Sequence, residues 1–299
     1  MSIPAVSVVI PLYNHEKYIR TAIESVLAQS VPVTEIIVID DGSTDSSWSI
    51  LQQMATQESR LKIMTQSNCG AHCTINRAIE QASGEYVSIL NSDDSYHPSR
   101  VQSCLDLLKQ NPEASGVATG LEFIDASGRS TKNSWYKNAL RFYYADKDMF
   151  SALINANFIM TTSNLFLRRS AFNAVGGFAN LRYAHDLDFF LRLVHDNRLL
   201  WLETPLLQYR MHGTNTINEN VMHVKIEWAA VVAWHLFQNM DKLSWAYMHK
   251  IMQITDSHHL TRLLFCFLLE YKKNAHVNMS VDSFWEDEDF VSFLREVVR

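Results

Sequence analysis

The sequence predicts an α/β fold, a doubly wound and mainly parallel sheet followed by a C-terminal helical appendage. Two observations carry the sheet: short runs of apolar β-formers alternate with segments of helical period through the first half of the chain, and a polar segment follows each run directly. A third carries the appendage, because strand signals cease after about Ile217 while helix-period stripes continue.

The first strand is "VSVVI", Val6 to Ile10, a near-continuous β-branched run of the kind found in strands covered on both faces. Ile19, Ala22, Ile23, Val26 and Leu27 then recur at helical spacing. "EIIVI" is the second buried strand. Ser43, Thr44 and Asp45 offer caps for a helix bearing Trp48, Leu51 and Ala55. "RLKIMTQ" leads through "SNCGAH" to a helix with Ile75, Ala78, Ile79 and Ala82, closed by Gly84. "EYVSIL" leads through "NSDDSYHP" to a helix with Val101, Leu105 and Leu108. This is β-α four times over, which predicts a Rossmann-like sheet with right-handed crossovers. Further on, "LLWLETPLLQYRMHGTN" reads as another strand. Val224, Trp228, Val231, Val232 and His235 open the helical region, and "WAYMHKIM", "LTRLLFCFLLEY" and "FVSFLREVV" continue it. We divide the chain into residues 1–216, a ligand-binding α/β domain, and 217–299, a helical region, with no repeat or low-complexity linker between them.

Composition narrows the function. A chain of 299 residues with 47% hydrophobic content can bury a full core. Its net charge of -6 argues against a nucleic-acid partner, whose phosphates call for clustered Lys and Arg. Cys69, Cys73, Cys104 and Cys266 fit no metal framework, and Cys69 and Cys73, at C-x3-C spacing, read as small core or loop residues. "MSIPAVSVVIPLYN" lacks the basic start of a signal peptide, and the longest apolar run, "LLFCFLL" at Leu263 to Leu269, is far short of the roughly 20 residues a membrane span needs. The expected location is therefore the cytoplasm. The helical region has fewer Lys and Arg than Asp and Glu, which disfavours electrostatic anchoring to lipid, and "LLFCFLL" is expected to be core rather than a docking face.

In doubly wound sheets ligands sit outside the carboxyl ends of the strands. Tyr13 and Asn14, Asp40 and Asp41, Asn68, and Asn91 to Asp94 all follow strands, so they should converge on one rim. The chain has neither G-x-G-x-x-G nor G-x-x-x-x-G-K-S/T, so a dinucleotide fingerprint and a P-loop are both missing. A carboxylate-rich rim of this kind suits a metal-assisted site.

The segments "VSVVIPLYNHEKYIRTAIESVLAQS", "EIIVIDDGSTDSS", "GEYVSILNSDD" and "GGFAN" followed by "HDLDFFLRL" together resemble glycosyltransferase family 2 over about Val6 to Asn215. The resemblance implies the A-type glycosyltransferase fold and an inverting sugar transfer from a nucleotide-sugar donor, a UDP-sugar being favoured. The acceptor it implies is a glycan or lipid-linked oligosaccharide, in bacterial surface-polysaccharide assembly, and a lipid-linked acceptor would bring the protein into peripheral contact with the inner face of the cytoplasmic membrane. The matched motifs put Pro11, Tyr13, Asn14 and Asp41 at the nucleotide, with Tyr13 stacking on the base and Asp41 accepting its N–H. Asp40 also reads as a cap for the following helix.

"NSDD" stands where the family has D-x-D. Positions 91 and 93 share a face on an extended segment, so Asn91, Ser92 and Asp93 are expected at the diphosphate, with Asp93 as the ligand of Mn²⁺ or Mg²⁺. Asn91 replaces the usual Asp, which should weaken metal affinity. Asp94 reads as a partner of Arg100 or a helix cap. The family's E-D pair appears as His185-Asp186, which assigns Asp186 as the general base; Asp188 points elsewhere on the helix. Read alone, His-Asp also occurs in metal phosphohydrolases, but those are helical proteins and this dipeptide follows a βα array. His212 corresponds to a metal- or diphosphate-contacting histidine and equally fits an exposed loop. Arg210 and Asn215 could face the same diphosphate, and Asn68, His72 and Asn76 complete the candidate donor contacts. Two other classes stand beside this one. A sugar-phosphate nucleotidyltransferase should show a Gly-rich basic loop near its N-terminus, absent here, and a catalytically silent nucleotide-sugar-binding protein is made conceivable by Asn91.

Overall fold

The computed structural model describes residues 5–195, 198–239, 249, 252, 253, 260–274 and 280–297. In chain order the elements are β1 (Val6–Leu12), α1 (Ile19–Leu27), β2 (Glu35–Asp40), α2 (Ser47–Ala55), β3 (Leu61–Thr65), α3 (Ala71–Glu80), β4 (Tyr86–Ile89), β5 (Ser95–Tyr96) and α4 (Arg100–Gln110). There follow β6 (Gly116–Asp125), β7 (Ser130–Thr131), α5 (Ser134–Asp146), α6 (Met149–Asn155), β8 (Phe166–Arg168), α7 (Arg169–Val175), α8 (His185–Val194) and β9 (Leu199–Met211). The last described helices are α9 (Val221–Gln238), α10 (Thr261–Lys273) and α11 (Glu288–Val297).

The chain divides into two compact units. The first comprises residues 1–133, 159–178 and 193–212. Its strands form a sheet in the order β3-β2-β1-β4-β8-β6-β9-β5, with β7 paired to β6. The expected parallel array is there: β2 pairs with β1 and β3, and β4 with β1, all parallel. β1 and β2 are almost wholly buried, as their uninterrupted apolar runs require, and α3 packs on both of them. Beyond β4 the sheet turns mixed. β8 runs antiparallel to β4 and β6, while β6 and the long β9 run parallel, with register shifts around Gly120. Sequence reading gives no strand for β6, because "GVATGLEFID" dilutes its β-formers with two glycines and an alanine.

Helix faces follow the expected periodicity. Ile19, Ala22, Ile23 and Val26 are buried in α1, and Ile75, Ala78 and Ile79 in α3. At α2 the candidate cap that engages is Asp45, whose Oδ1 accepts from Ser47 N–H at 2.9 Å and whose Oδ2 accepts from Glu16 N–H at 3.0 Å. Cys69, in the loop ahead of α3, and Cys73, in its first turn, are joined in a disulfide, so they are a bonded pair and not merely small core or loop residues.

The second unit comprises residues 134–158, 179–192 and 213–299. It is helical, and it draws in segments from within the first 216 residues. α9 packs on α10, and α10 on α11. Within "LLFCFLL" one face is core, with Leu263, Leu264 and Phe267 buried, but Phe265 and Leu269 are 48% and 68% exposed. The stretch is therefore amphipathic and only half of it is core. The helix expected over 245–252 lies, apart from His249 and Met252, outside the described residues.

Candidate active site

In the first unit, three sheet ends bring side chains together. β1 leads into Tyr13, Asn14 and His15; β4 leads into Asn91 to Asp94; β9 ends at Met211, followed by His212. Donor atoms of His15, Asp93 and His212 all lie within 4.8 Å of one another, and this is the group among the described residues that could hold a metal ion. His212 Nε2 is 2.9 Å from Asp93 Oδ2. His15 Nδ1 is 2.8 Å from Ser92 Oγ. Burial pulls the His15 pKa below its ordinary value, against the charge of Asp93. Burial pushes the Asp93 carboxyl up, but the hydrogen bond from His212 and the two imidazole charges together hold it below the ordinary carboxylate value. A single ionised carboxylate between two imidazoles is a donor set that fits a divalent transition ion.

His15 was not among the residues singled out from sequence. The signal that finds it is its position: it lies in the polar segment after β1, one residue beyond Asn14.

Other members of the rim are already engaged by the protein. Asn14 has a left-handed φ of 51°, its N–H donates to Ser43 Oγ, and its Oδ1 accepts from Thr44 N–H at 2.8 Å, so it ties the loop after β1 to the loop after β2. Asp41 Oδ1 accepts from Gln66 Nε2 at 2.8 Å and Cys69 N–H at 3.0 Å, and Oδ2 from Gly70 N–H at 2.9 Å. Asp41 thus fastens the loop ahead of α3. Gly42 makes this approach feasible, with φ of 76° and a backbone so close that a Cβ would lie 3.1 Å from Asn68 N. Asp40 Oδ2 accepts from Ser43 N–H and the Thr65 hydroxyl, while Oδ1 is buried without a partner among the described residues. Tyr13 presents a ring that is 47% exposed, Pro11 stands in β1 opposite Ile39, Asn68 is exposed and His72 is half-buried in the first turn of α3.

Asn91 bonds through Nδ2 to Thr161 Oγ1 and through Oδ1 to the Thr162 hydroxyl, both at 3.0 Å. Asp94 does not pair with Arg100. Its oxygens accept from the Ser163 hydroxyl at 2.6 Å and Arg210 N–H at 2.9 Å, and burial beside Asp93 pushes its carboxyl well above the ordinary range. Arg100 instead donates to Thr119 Oγ1 and Ser163 O. The Arg210 guanidinium donates to the carbonyls of Asp93 and Asp125 and lies 4.8 Å from the Tyr18 ring centroid, so it braces the Asp93 backbone. Asn76 pairs both ways with the backbone of Phe178, where Gly177 lets its amide pack against the chain: a Cβ at 177 would stand 2.8 Å from Asn76 Oδ1.

In the second unit, Asp186 lies in the first turn of α8 and is buried. Its Oδ2 accepts from Asn157 Nδ2 at 3.0 Å and its Oδ1 from Leu187 N–H at 2.6 Å. Burial outweighs these bonds and pushes its carboxyl up to about 7. The preceding residues are gripped from α9. The buried Glu227 carboxylate accepts from the N–H groups of Arg182 at 3.0 Å, Tyr183 at 2.6 Å and Ala184 at 2.9 Å. Asp188 faces another way and pairs with Arg192 at 2.6 Å and His235 at 3.3 Å. Asn215 leads into the 3-10 turn Thr216–Asn218, where its carbonyl accepts from Asn218 N–H.

Residues 7–176, more than half of the chain, match the profile of glycosyl transferase family 2. The chain belongs to that family. Within it, the chain is 31% identical over 214 residues to a chondroitin synthase of Escherichia coli, an alignment covering 72% of this chain but 30% of the synthase. It is 27% identical over 275 residues to the teichuronic acid biosynthesis glycosyltransferase TuaG, a putative assignment in Bacillus subtilis, covering 91% of this chain and 96% of that protein. The fold matches that of S. aureus TarS 1-349 in complex with UDP-GlcNAc, with a TM-score of 0.62 at 19% identity over 98% of this chain and 82% of that one. Among the described residues, no helix is long and apolar enough to cross a membrane.

Proposed function

We propose that this family 2 member is an inverting glycosyltransferase, moving one sugar from a nucleotide-sugar donor, a UDP-sugar by preference, to a hydroxyl of a glycan or lipid-linked glycan in polysaccharide assembly. The observation that carries the reading is the buried Asp93 bracketed by two imidazoles beyond the strand ends of the family's parallel sheet. A likeness to TuaG and a fold shared with a UDP-GlcNAc-binding protein support the setting and the donor. Residues 1–216 then act as the catalytic domain, working on the cytoplasmic side, and 217–299 as a helical C-terminal region.

In this reading the exposed Tyr13 ring stacks on the base, and Asp41 accepts the base N–H with lone pairs its backbone bonds leave over. Asp93 and His212 are the residues that would hold Mn²⁺ or Mg²⁺. A bound divalent ion supplies charge neutralisation for the departing diphosphate. Asp186, ionised, accepts the proton of the acceptor hydroxyl as that oxygen bonds to the anomeric carbon and the bond to the diphosphate breaks. A pKa near 7 leaves a useful fraction ionised at neutral pH while making the carboxylate basic enough to take the proton.

The test is a thermal-shift panel of nucleotide sugars with Mn²⁺, followed by radiolabelled transfer from whichever donor stabilises, since stabilisation follows affinity for the folded state. A UDP-sugar should raise the melting temperature and be consumed with release of UDP. Consumption of NTP and sugar phosphate instead would make the protein a nucleotidyltransferase, and binding with no turnover for any acceptor would make it a silent binder.

A further inference from the structure

We propose that His15 is a third protein ligand of the divalent ion, and that the resulting set of two imidazoles and one carboxylate makes the site select Mn²⁺ or Co²⁺ over Mg²⁺. The inference rests on the proposed metal-assisted transfer for the purpose of the site, but its geometry stands on its own residues.

Three separate chain segments, after β1, β4 and β9, deliver His15, Asp93 and His212 with donor atoms within 4.8 Å of one another. The surroundings explain why the imidazoles matter. In the segment after β4 that carries Asp93, the two other amide or carboxylate side chains are committed: the Asn91 amide to Thr161 and Thr162, and both Asp94 oxygens to Ser163 and the Arg210 N–H. The cluster of donor atoms therefore contains one carboxylate, that of Asp93. Mg²⁺ is held through carboxylates and sheds water reluctantly, whereas imidazole suits first-row transition ions, so replacing a carboxylate by a histidine shifts preference away from Mg²⁺.

His15 also has the supporting contact that metal-bound histidines usually show. Its Nδ1 lies 2.8 Å from Ser92 Oγ, and in the tautomer that donates this bond the ring is fixed and the Nε2 lone pair is left for an ion. Behind the pair, Tyr18 stacks on His212 at 5.2 Å and stands edge-on to His15 at 5.9 Å, which restricts both rings.

Metal-stripped full-length protein is titrated calorimetrically with Mn²⁺, Co²⁺ and Mg²⁺ in the absence of nucleotide, beside His15→Ala. The unmutated protein should bind Mn²⁺ and Co²⁺ at least roughly tenfold more tightly than Mg²⁺, and His15→Ala should lose about 10- to 100-fold for the first two with little change for Mg²⁺. Proton NMR of the Co²⁺-loaded unmutated protein needs no variant, and should show two paramagnetically shifted imidazole N–H resonances. A single such resonance, or Co²⁺ affinity unchanged in a folded His15→Ala, overturns the proposal. Sugar transfer is assayed alongside. Transfer that persists while His15 proves irrelevant to metal sinks this inference alone, and two shifted imidazoles in a protein that binds no nucleotide sugar sink the transferase reading alone.

Discussion

Asn157→Ala tests how the proposed base, Asp186, is tuned. The Asn157 amide donates to Asp186 Oδ2 at 3.0 Å, a bond that favours the ionised carboxyl, and burial works against it to leave the pKa at about 7. A hydrogen bond to a charged group contributes about 1.5–3 kcal/mol net, and one pKa unit corresponds to about 1.4 kcal/mol, so removing it should raise the pKa by about 1 to 2 units. At neutral pH the ionised fraction then drops from about a half to between about a tenth and a hundredth, and turnover at saturating donor and acceptor falls with it. The assay is the rate of nucleoside diphosphate release as a function of pH. In the unmutated protein the rate should rise with pH through about 7 and level off; in Asn157→Ala the same rise should come later and reach a similar plateau. An acidic limb that stays in place, or moves to lower pH, refutes the assignment. The same carboxyl sets a stability trend of defined sign. Its folded pKa of about 7 exceeds the ordinary 3.8, so the folded state keeps a proton that the unfolded chain has released, and stability falls as pH rises from about 4 to about 7. The shift corresponds to about 4 kcal/mol. Asp186→Asn should therefore melt higher than the parent at about pH 8 while losing about a hundredfold or more in turnover with donor affinity kept.

Chelation should abolish transfer and Mn²⁺ should restore it, with Asp93→Ala behaving like the chelated enzyme; transfer that ignores the chelator removes Asp93 from the metal site. Asn91→Asp should tighten Mn²⁺ binding by adding a carboxylate, measured by titration calorimetry. Glu227→Ala should strand the N–H groups of Arg182, Tyr183 and Ala184, lowering stability by about 2–5 kcal/mol and turnover more than donor affinity, with partial recovery in Glu227→Gln; equal losses in kcat and donor binding would argue for global damage. Leu264→Ser, at a buried position of α10, should cost about 2–4 kcal/mol in chemical denaturation, whereas Leu269→Ser on the exposed face should change stability by less than about 0.5 kcal/mol. If Leu269→Ser instead removes liposome association, that face docks on membrane.

The parallel half of the sheet was legible because its strands are buried on both sides. Such strands must be continuous apolar runs, and the polar residues that follow them stand out against the pattern. β6 and β8 were not legible, since one is broken by Gly116 and Gly120 and the other is three residues long and takes its identity from its neighbours. The helical region was readable as helices, but not the extent of its unit, because segments 134–158 and 179–192 join it through contacts distant in sequence.

For the site, sequence pattern marks where polar side chains gather and says little about which of them the fold has already used. Asp94 and Glu227 carry the same carboxyl chemistry as Asp93 and Asp186, yet they spend oxygens on backbone N–H groups: Arg210 for Asp94, and the Arg182–Ala184 stretch for Glu227. Those partners lie tens of residues away, at separations no local motif encodes. The two carboxylates proposed for metal and base differ in what opposes their charge. Asp93 faces two imidazoles that keep it ionised, while Asp186 has one amide and one N–H against a burial that pushes its pKa to about 7. An ionised carboxylate suits the grip of a cation and a carboxyl poised near neutrality suits the exchange of a proton, so the two environments fit the two proposed roles on grounds separate from any motif.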